Sequence, residues 1–328
     1  MLSYLIFPAF GCATSTTMSL AIAWRLENIL SRGLIFPLGT PASIHSEIWS
    51  LHCTATLVTR NSASPVAPDV RLHALTEGVP TQNHRTPLVF VHGAWHASWC
   101  WEENFIPFFV NEGFVCHAFD LRGHGQSEGR EALHSFHLRD YVEDLGQVVE
   151  GAREAPVLVA HSMGGLVAQL YAQEHDVAGL VLLAPVPVSG VGYGYARAHP
   201  FPFLRFLFSR KGKAMISGEK LSKSLFFSQN ISDELFRKYY GEFQDESFRA
   251  IFENGRGIDW KPLKSKPPLL IVEAGRDAVI SGKRLAETAR LYGTDLARID
   301  DLAHDVMIDV EWRKCAELVS TWLTKNGF

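Results

Sequence analysis

Residues 155 to 175 read APVLVAHSMGGLVAQLYAQEH. Val157, Leu158, Val159 and Ala160 make the short unbroken apolar run of a strand covered on both faces, while Leu166, Val167, Leu170 and Tyr171 recur at helical spacing. Ser162 stands at the join. A strand that becomes a helix within about three residues forces unusual backbone angles on the residue at the apex and brings neighbouring chain close. Only small neighbours fit there, and Ala160, Gly164 and Gly165 are small. A serine at this place also suits the N-cap of an ordinary helix in a parallel sheet. The small-x-Ser-x-Gly pattern is short, so the rest of the chain has to decide between the two.

Working outward, strand and helix patterns alternate from residue 70 onward. Apolar runs at 87–93 (PLVFVHG), 115–120 (VCHAFD), 155–160, 178–186 (AGLVLLAPV) and 267–275 (PPLLIVEAG) are separated by helical patterns such as HLRDYVEDLGQVVEGA and GKRLAETARLYG. A short sixth run, LARID, follows. This rhythm predicts an α/β fold with a mostly parallel sheet and helices on both faces. Function then belongs in the loops at the carboxyl ends of the strands. Those loops are HGAWHASWCW, DLRGHGQSEG, the serine turn, GRDAVI and DLAHDVMID.

The 328 residues suffice for one large domain with an insertion or for two modest ones, and 47% hydrophobic with 20% charged residues is ordinary for a soluble globular protein. A formal charge of -4 supplies no basic field for nucleic acid or anionic lipid, so the expected partner is a small apolar molecule. Cys12, Cys53, Cys100, Cys116 and Cys315 are odd in number and scattered, which suits reduced thiols. The 14 histidines include no H-E-x-x-H or comparable ligand spacing, and neither a metal nor a cofactor is expected. Residues 1–66 read as an N-terminal extension. Residues 1–24 carry no charge but are broken by Pro8, Gly11 and a Thr cluster, and the segment as a whole is rich in Ser and Thr and poor in acids. That composition suits an organelle transit peptide, or an upstream extension with Met18 as the true start; the chain is then plastid-like in location, or otherwise cytoplasmic. Membrane contact is expected at most from this extension. Residues 62–68, SASPVAP, form the linker into the folded domain, 67–328.

The serine turn, with Asp277 in GRDAVI and His304 in DLAHDVMID following in that order, resembles the α/β-hydrolase superfamily over roughly residues 70–328. The resemblance implies a serine esterase or lipase without cofactor. Ser162 is the nucleophile, His304 the base that takes its proton and returns it to the leaving group, and Asp277 the acid that orients His304. Asp301 and Asp305 are competitors for the acid, but lie on the histidine's own loop. The backbone N–H groups of Met163 and Ala94 would form the oxyanion hole, with Trp95 a weaker alternative donor. His92 and His161 read mainly as structural histidines, with Trp95 and His161 also placed at the substrate pocket. The glycines of DLRGHGQSEG lack the strand–GxGxxG–helix context and the Walker lysine, so the loop reads as a structural turn.

Residues 187–267 are too long for a simple crossover and rich in aromatics, from Phe201 and Phe203 to Phe248 and Phe252. They predict a helical cap whose rings pack its core and line an apolar pocket over Ser162. Ser162 argues against dehalogenases and epoxide hydrolases, which the resemblance endows with Asp at this turn. The stretch His92-Gly93-Ala94-Trp95-His96 with Trp99-Cys100-Trp101 is similar to plant methyl esterases and hydroxynitrile lyases. The lyases have Thr where Gly93 stands and Lys where Asp305 stands, so an ester hydrolase is preferred. Gly-His-Gly-x-Ser is similar to the lysophospholipase and monoacylglycerol lipase branch. The alternatives are a slow-turnover ligand receptor on the same fold and a carbon–carbon bond hydrolase.

Overall fold

The computed structural model describes residues 53–57, 70–80, 86–152, 154–192 and 194–328, which fall within one unit, Ser50–Phe328. Apart from 53–57, the expected extension lies outside the described residues, as do the linker at 62–68 and Met18.

Eight strands form one sheet in the order β1-β2-β4-β3-β5-β6-β7-β8. They are β1 Cys53–Leu57, β2 Leu72–Glu77, β3 Leu88–Val91, β4 Cys116–Phe119, β5 Val157–His161, β6 Gly179–Leu183, β7 Leu269–Ala274 and β8 Leu296–Ile299. From β4 to β8 the ladders are parallel, whereas β1–β2 and β2–β4 are antiparallel. The β1 strand lies inside the segment read from the sequence as an extension; its pairing with β2, Cys53 opposite Thr76 through Leu57 opposite Leu72, makes it an edge strand of the folded sheet.

Central strands are apolar on both faces because helices cover both. Every residue of β3, β5 and β6 is buried. Helices Leu138–Glu150, Ser162–Glu174, Gly282–Tyr292 and Trp312–Lys325 fill the crossovers and the end of the chain. The second of these is buried almost all round, which its apolar sequence requires. Because β3, β5, β7 and β8 run parallel, the loops carrying Ala94, Ser162, Asp277 and His304 all leave the same edge of the sheet. Between β6 and β7 the chain forms the expected helical insertion: Gly194–Ala198, Pro200–Ser209, Glu219–Phe226, Asp233–Glu242 and Phe248–Arg256, with a 3-10 turn at Gly212–Ile216.

Candidate active site

Ser162 has φ +50°, a left-handed conformation in a residue other than glycine, at the step from β5 into the helix Ser162–Glu174. Such strain persists only when the surroundings over-determine it. Here they do. A Cβ on Gly164 would collide with the carbonyl oxygens of Val91 and His92, and one on Gly165 would lie 2.6 Å from Pro185 Cβ. The turn therefore packs directly on the end of β3, and this close approach is what the small residues around the serine permit.

Ser162 Oγ lies 2.9 Å from His304 Nε2, and His304 Nδ1 lies 2.8 Å from Asp277 Oδ2. The other oxygen of Asp277 accepts the N–H groups of Val279 and Ile280 at 2.7 and 2.8 Å, which locks the carboxylate toward the histidine. Both competitors are committed elsewhere. Asp301 pairs with Arg276 and Lys314 at the surface, and the wholly buried Asp305 accepts from His96 Nε2 at 3.1 Å. Burial pushes the His304 pKa down, but the charge and hydrogen bond of Asp277, with the charge of Asp305, push it up further, and the net direction is above the ordinary value.

The neighbouring histidines have different duties. His161 donates from Nε2 to the carbonyl of His304 at 2.9 Å, fixing the loop that bears the base. Burial and the adjacent His304 hold its pKa well below the usual range, so it is neutral. His161 is expected at the pocket, but its Nε2 is bonded to the His304 carbonyl and the residue is not among those that line the cavity; its Nδ1 is buried without a hydrogen-bond partner among the described residues. His92 accepts the Leu121 N–H at Nε2 (3.1 Å) and donates from Nδ1 to the Gly93 carbonyl (2.9 Å). Burial and the nearby His124 lower its pKa to about 4, in keeping with that neutral, structural role.

Ala94 and Trp95 follow β3 and line the same cavity as Ser162. Trp95 also has a left-handed backbone, φ +67°. Its N–H points to Glu246 Oε2 at 3.4 Å and its carbonyl accepts from Gln244 N at 3.0 Å. Gln244 Nε2 donates to the His96 carbonyl at 2.7 Å, while its Oε1 accepts the Gly125 N–H at 3.0 Å. Glu246 is completely buried and takes bonds from His124 Nε2 (3.0 Å) and the Tyr141 hydroxyl (2.8 Å). His124 also faces the Arg122 carbonyl from Nδ1 at 3.1 Å, so both ring nitrogens meet acceptors. Burial lowers the His124 pKa, yet the charge and hydrogen bond of Glu246 carry it above normal; burial raises that of Glu246, yet His124 carries it below. The two directions agree on a charged pair. Glu246 and Gln244 thus clamp the loop after β3 from the cap, a role with no sequence signal. The glycine-rich loop is closed on the protein itself, with Gln126 N and Ser98 N both donating to Asp120 at 2.8 and 2.7 Å.

The cavity over Ser162 encloses about 100 Å³ and is lined largely by apolar side chains of the cap, among them Phe203, Phe206, Met215, Leu225 and Phe226. Arg256 is the one charged residue among those that line it. Met163 lies wholly buried at the start of the helix, next to the serine. Among the described residues, His161, His304 and Asp305 offer metal-ligand atoms within 4.8 Å of one another. His304 is bonded through both ring nitrogens to Ser162 and Asp277, and His161 Nε2 and Asp305 Oδ2 are bonded to the His304 carbonyl and His96, whereas His161 Nδ1 and Asp305 Oδ1 are buried without a hydrogen-bond partner among those described residues.

Residues 88–318 match the family model described as the alpha/beta hydrolase family. Methylesterase 9 of Arabidopsis thaliana is 39% identical over 87 residues, 26% of this chain and 33% of that protein. The pyrethroid hydrolase of Sphingobium wenxiniae is 30% identical over 103 residues, 31% of this chain and 36% of that one. These matches span about a third of the curated relatives' own length. A monoacylglycerol lipase from Paleococcus ferrophilus shares the fold, with a TM-score of 0.59 and 19% identity over 78% of this chain and 99% of that one.

Proposed function

The chain belongs to the alpha/beta hydrolase family, and on that premise we propose that it cleaves carboxylic esters with an apolar acyl or alcohol group through an acyl-enzyme on Ser162. The observation that carries this reading is the Ser162–His304–Asp277 chain of hydrogen bonds beside an apolar cavity. An aliphatic hydroxyl is a weak nucleophile until a base removes its proton. As Ser162 Oγ bonds to the ester carbonyl carbon, its proton passes to His304 Nε2, and Asp277 stabilises the imidazolium. The carbonyl oxygen becomes an oxyanion, which the N–H groups of Ala94 and Met163 receive, the latter reinforced by its place at a helix N-terminus. Trp95 is the weaker candidate donor because its N–H is directed to Glu246. The C–O bond then breaks, and the leaving alkoxide takes the proton from His304. Water repeats the sequence on the acyl-enzyme: His304 takes its proton, the acid departs and Ser162 recovers the hydrogen.

A fluorophosphonate should label wild-type protein at Ser162, and Ser162→Ala should abolish both labelling and turnover of a p-nitrophenyl ester. Loss of the nucleophile costs about six orders of magnitude in kcat in a comparable triad. Label on another serine, or turnover surviving in the variant, defeats the proposal.

A further inference from the structure

The cap helix Pro200–Ser209, PFPFLRFLFS, has two unlike apolar faces. Phe203 and Phe206 turn inward and line the cavity that holds Ser162. Outside, Phe201 and Phe208 are 82% and 87% exposed and Leu204 is 46% exposed. Helical spacing puts 201, 204 and 208 on one stripe, with Arg205 beside them. Single exposed apolar residues are common, but a contiguous stripe of this kind marks a contact surface.

The charge around the stripe says what it contacts. From Val177 to Gly218 the chain has no acidic residue, while Arg197, Arg205, Arg210, Lys211 and Lys213 are all exposed. Arg205 reaches Ser217 Oγ at 3.4 Å, Arg210 lies over the Phe248 ring at 5.6 Å, and Lys213 donates to the Phe243 carbonyl at 2.7 Å. None of these side-chain contacts neutralises a charge. The Asp245 carboxylate accepts the Lys213 backbone N–H at 2.7 Å, so the excess rests mainly on Arg197, Arg205, Arg210 and Lys211, and the chain-wide balance of -4 conceals it.

We infer that this helix anchors the protein on an anionic lipid bilayer. Phe201, Leu204 and Phe208 enter the boundary between headgroups and acyl chains, and the basic side chains meet the anionic headgroups. A helix of 10 residues is too short to span a bilayer and lies in its plane. A second copy of the chain is a poorer occupant, since a symmetric pair would set the same cations against one another. The inference goes beyond the ester-hydrolase reading and stands without it. It adds that the anchor's inner face is a wall of the cavity, so a lipophilic compound leaving the bilayer enters beside Ser162.

The test is co-sedimentation of the full chain with phosphatidylcholine vesicles prepared with and without phosphatidylserine. Wild type should bind the phosphatidylserine vesicles and release with added salt. Arg205→Gln with Lys211→Gln should weaken binding roughly thirtyfold, from the usual contribution of two basic residues near an anionic surface. Phe201→Ser with Phe208→Ser should weaken it at least as much, with an unchanged circular dichroism spectrum because both rings are exposed. No binding by wild type overturns the inference. So does equal binding by both double variants, which would put the contact on another segment such as residues 1–24. A dimer dissociated by the phenylalanine variants, without vesicle binding, would assign the stripe to a second copy instead.

Discussion

Ser162, Asp277 and His304 hang from loops at the ends of β5, β7 and β8, whereas the cap above them is built of short helices that leave large apolar side chains in solvent. The floor is fixed by strand register and by backbone forced into one shape, as at Ser162. The roof is tied to that floor by a small set of buried polar contacts. Glu246 and Gln244 grip the loop after β3, and Asp309 accepts from Ser228 of the cap at 2.9 Å while receiving the Ala303 N–H at 2.9 Å. The difference divides the labour. On the proposed ester-hydrolase reading, floor residues would set whether the chemistry occurs, and roof residues how well the oxyanion loop is held and which acyl chain fits.

Breaking the floor should therefore have the largest effect. Asp277→Asn is expected to lower kcat by about four orders of magnitude, as loss of the orienting carboxylate does in related triads. Asp305→Asn and Asp301→Asn should cost far less, since neither carboxylate bonds to His304. The pH profile separates the two cases. His304 must be neutral to accept a proton, and Asp277 raises its pKa, so wild-type kcat/KM should fall as the pH drops through a midpoint above 6.5. In Asp277→Asn the downward push of burial is left with less opposition, and the midpoint should move to lower pH. An unmoved midpoint, or a comparable loss in Asp305→Asn, would transfer the acid's role to the histidine's own loop.

The floor was also the legible part of the molecule. Each of the six runs is a strand; the central ones are legible because a strand covered on both faces must be apolar throughout, whereas β8, at the sheet's edge, is only partly buried and carries the exposed Arg298. The edge strand β1 and its neighbour β2 carry no clear sequence signal: CTATL and LHALTE hold too few consecutive large apolar residues to announce themselves, and they gain their structure by antiparallel pairing. Ser162 and His304 could be picked out by motif and chain order, while Asp277 needed the resemblance, since Asp301 and Asp305 are nearer to His304 in sequence. Glu246 could not be found at all. Its partners His124 and Tyr141 lie 122 and 105 residues away, and a glutamate next to Asp245 in an aromatic insertion looks like one more solvated charge. His161 was partly misread because adjacency to the nucleophile says nothing about which way a ring turns.

A smaller effect is expected where roof meets floor. Glu246→Gln keeps the shape but leaves His124 facing a neutral amide and loosens the contact with Trp95. Removing an oxyanion donor outright costs about a hundred- to a thousandfold in kcat, so displacing the loop that carries one should cost between roughly tenfold and a hundredfold, with KM moving less. Breaking one side of a buried pair also costs about 3–5 kcal/mol of stability, so the assay belongs at a temperature where circular dichroism shows the variant folded. A lowered Tm with unchanged kcat would reduce Glu246 to a strut of the cap.

The smallest effect concerns the roof alone. The cavity is narrow, about 100 Å³, and its apolar lining comes mainly from cap residues that make no hydrogen bond to the reacting groups. Burial of each substrate methylene there would contribute about 0.8 kcal/mol, or roughly fourfold in kcat/KM, until the space is filled. The p-nitrophenyl esters should therefore improve from acetate toward butyrate or hexanoate and then level off. Val191 lines the cavity, and its backbone N–H is bonded to the Asn254 carbonyl at 3.0 Å, a contact that a side-chain change leaves in place. Val191→Phe should consequently shift the optimum to shorter chains while the rate of fluorophosphonate labelling at Ser162 changes little, because the floor is untouched. A profile that peaks at acetate in both proteins would mean that the cap rings only pack one another, and that acyl preference is set on the floor by the loop from Trp95 to Trp101.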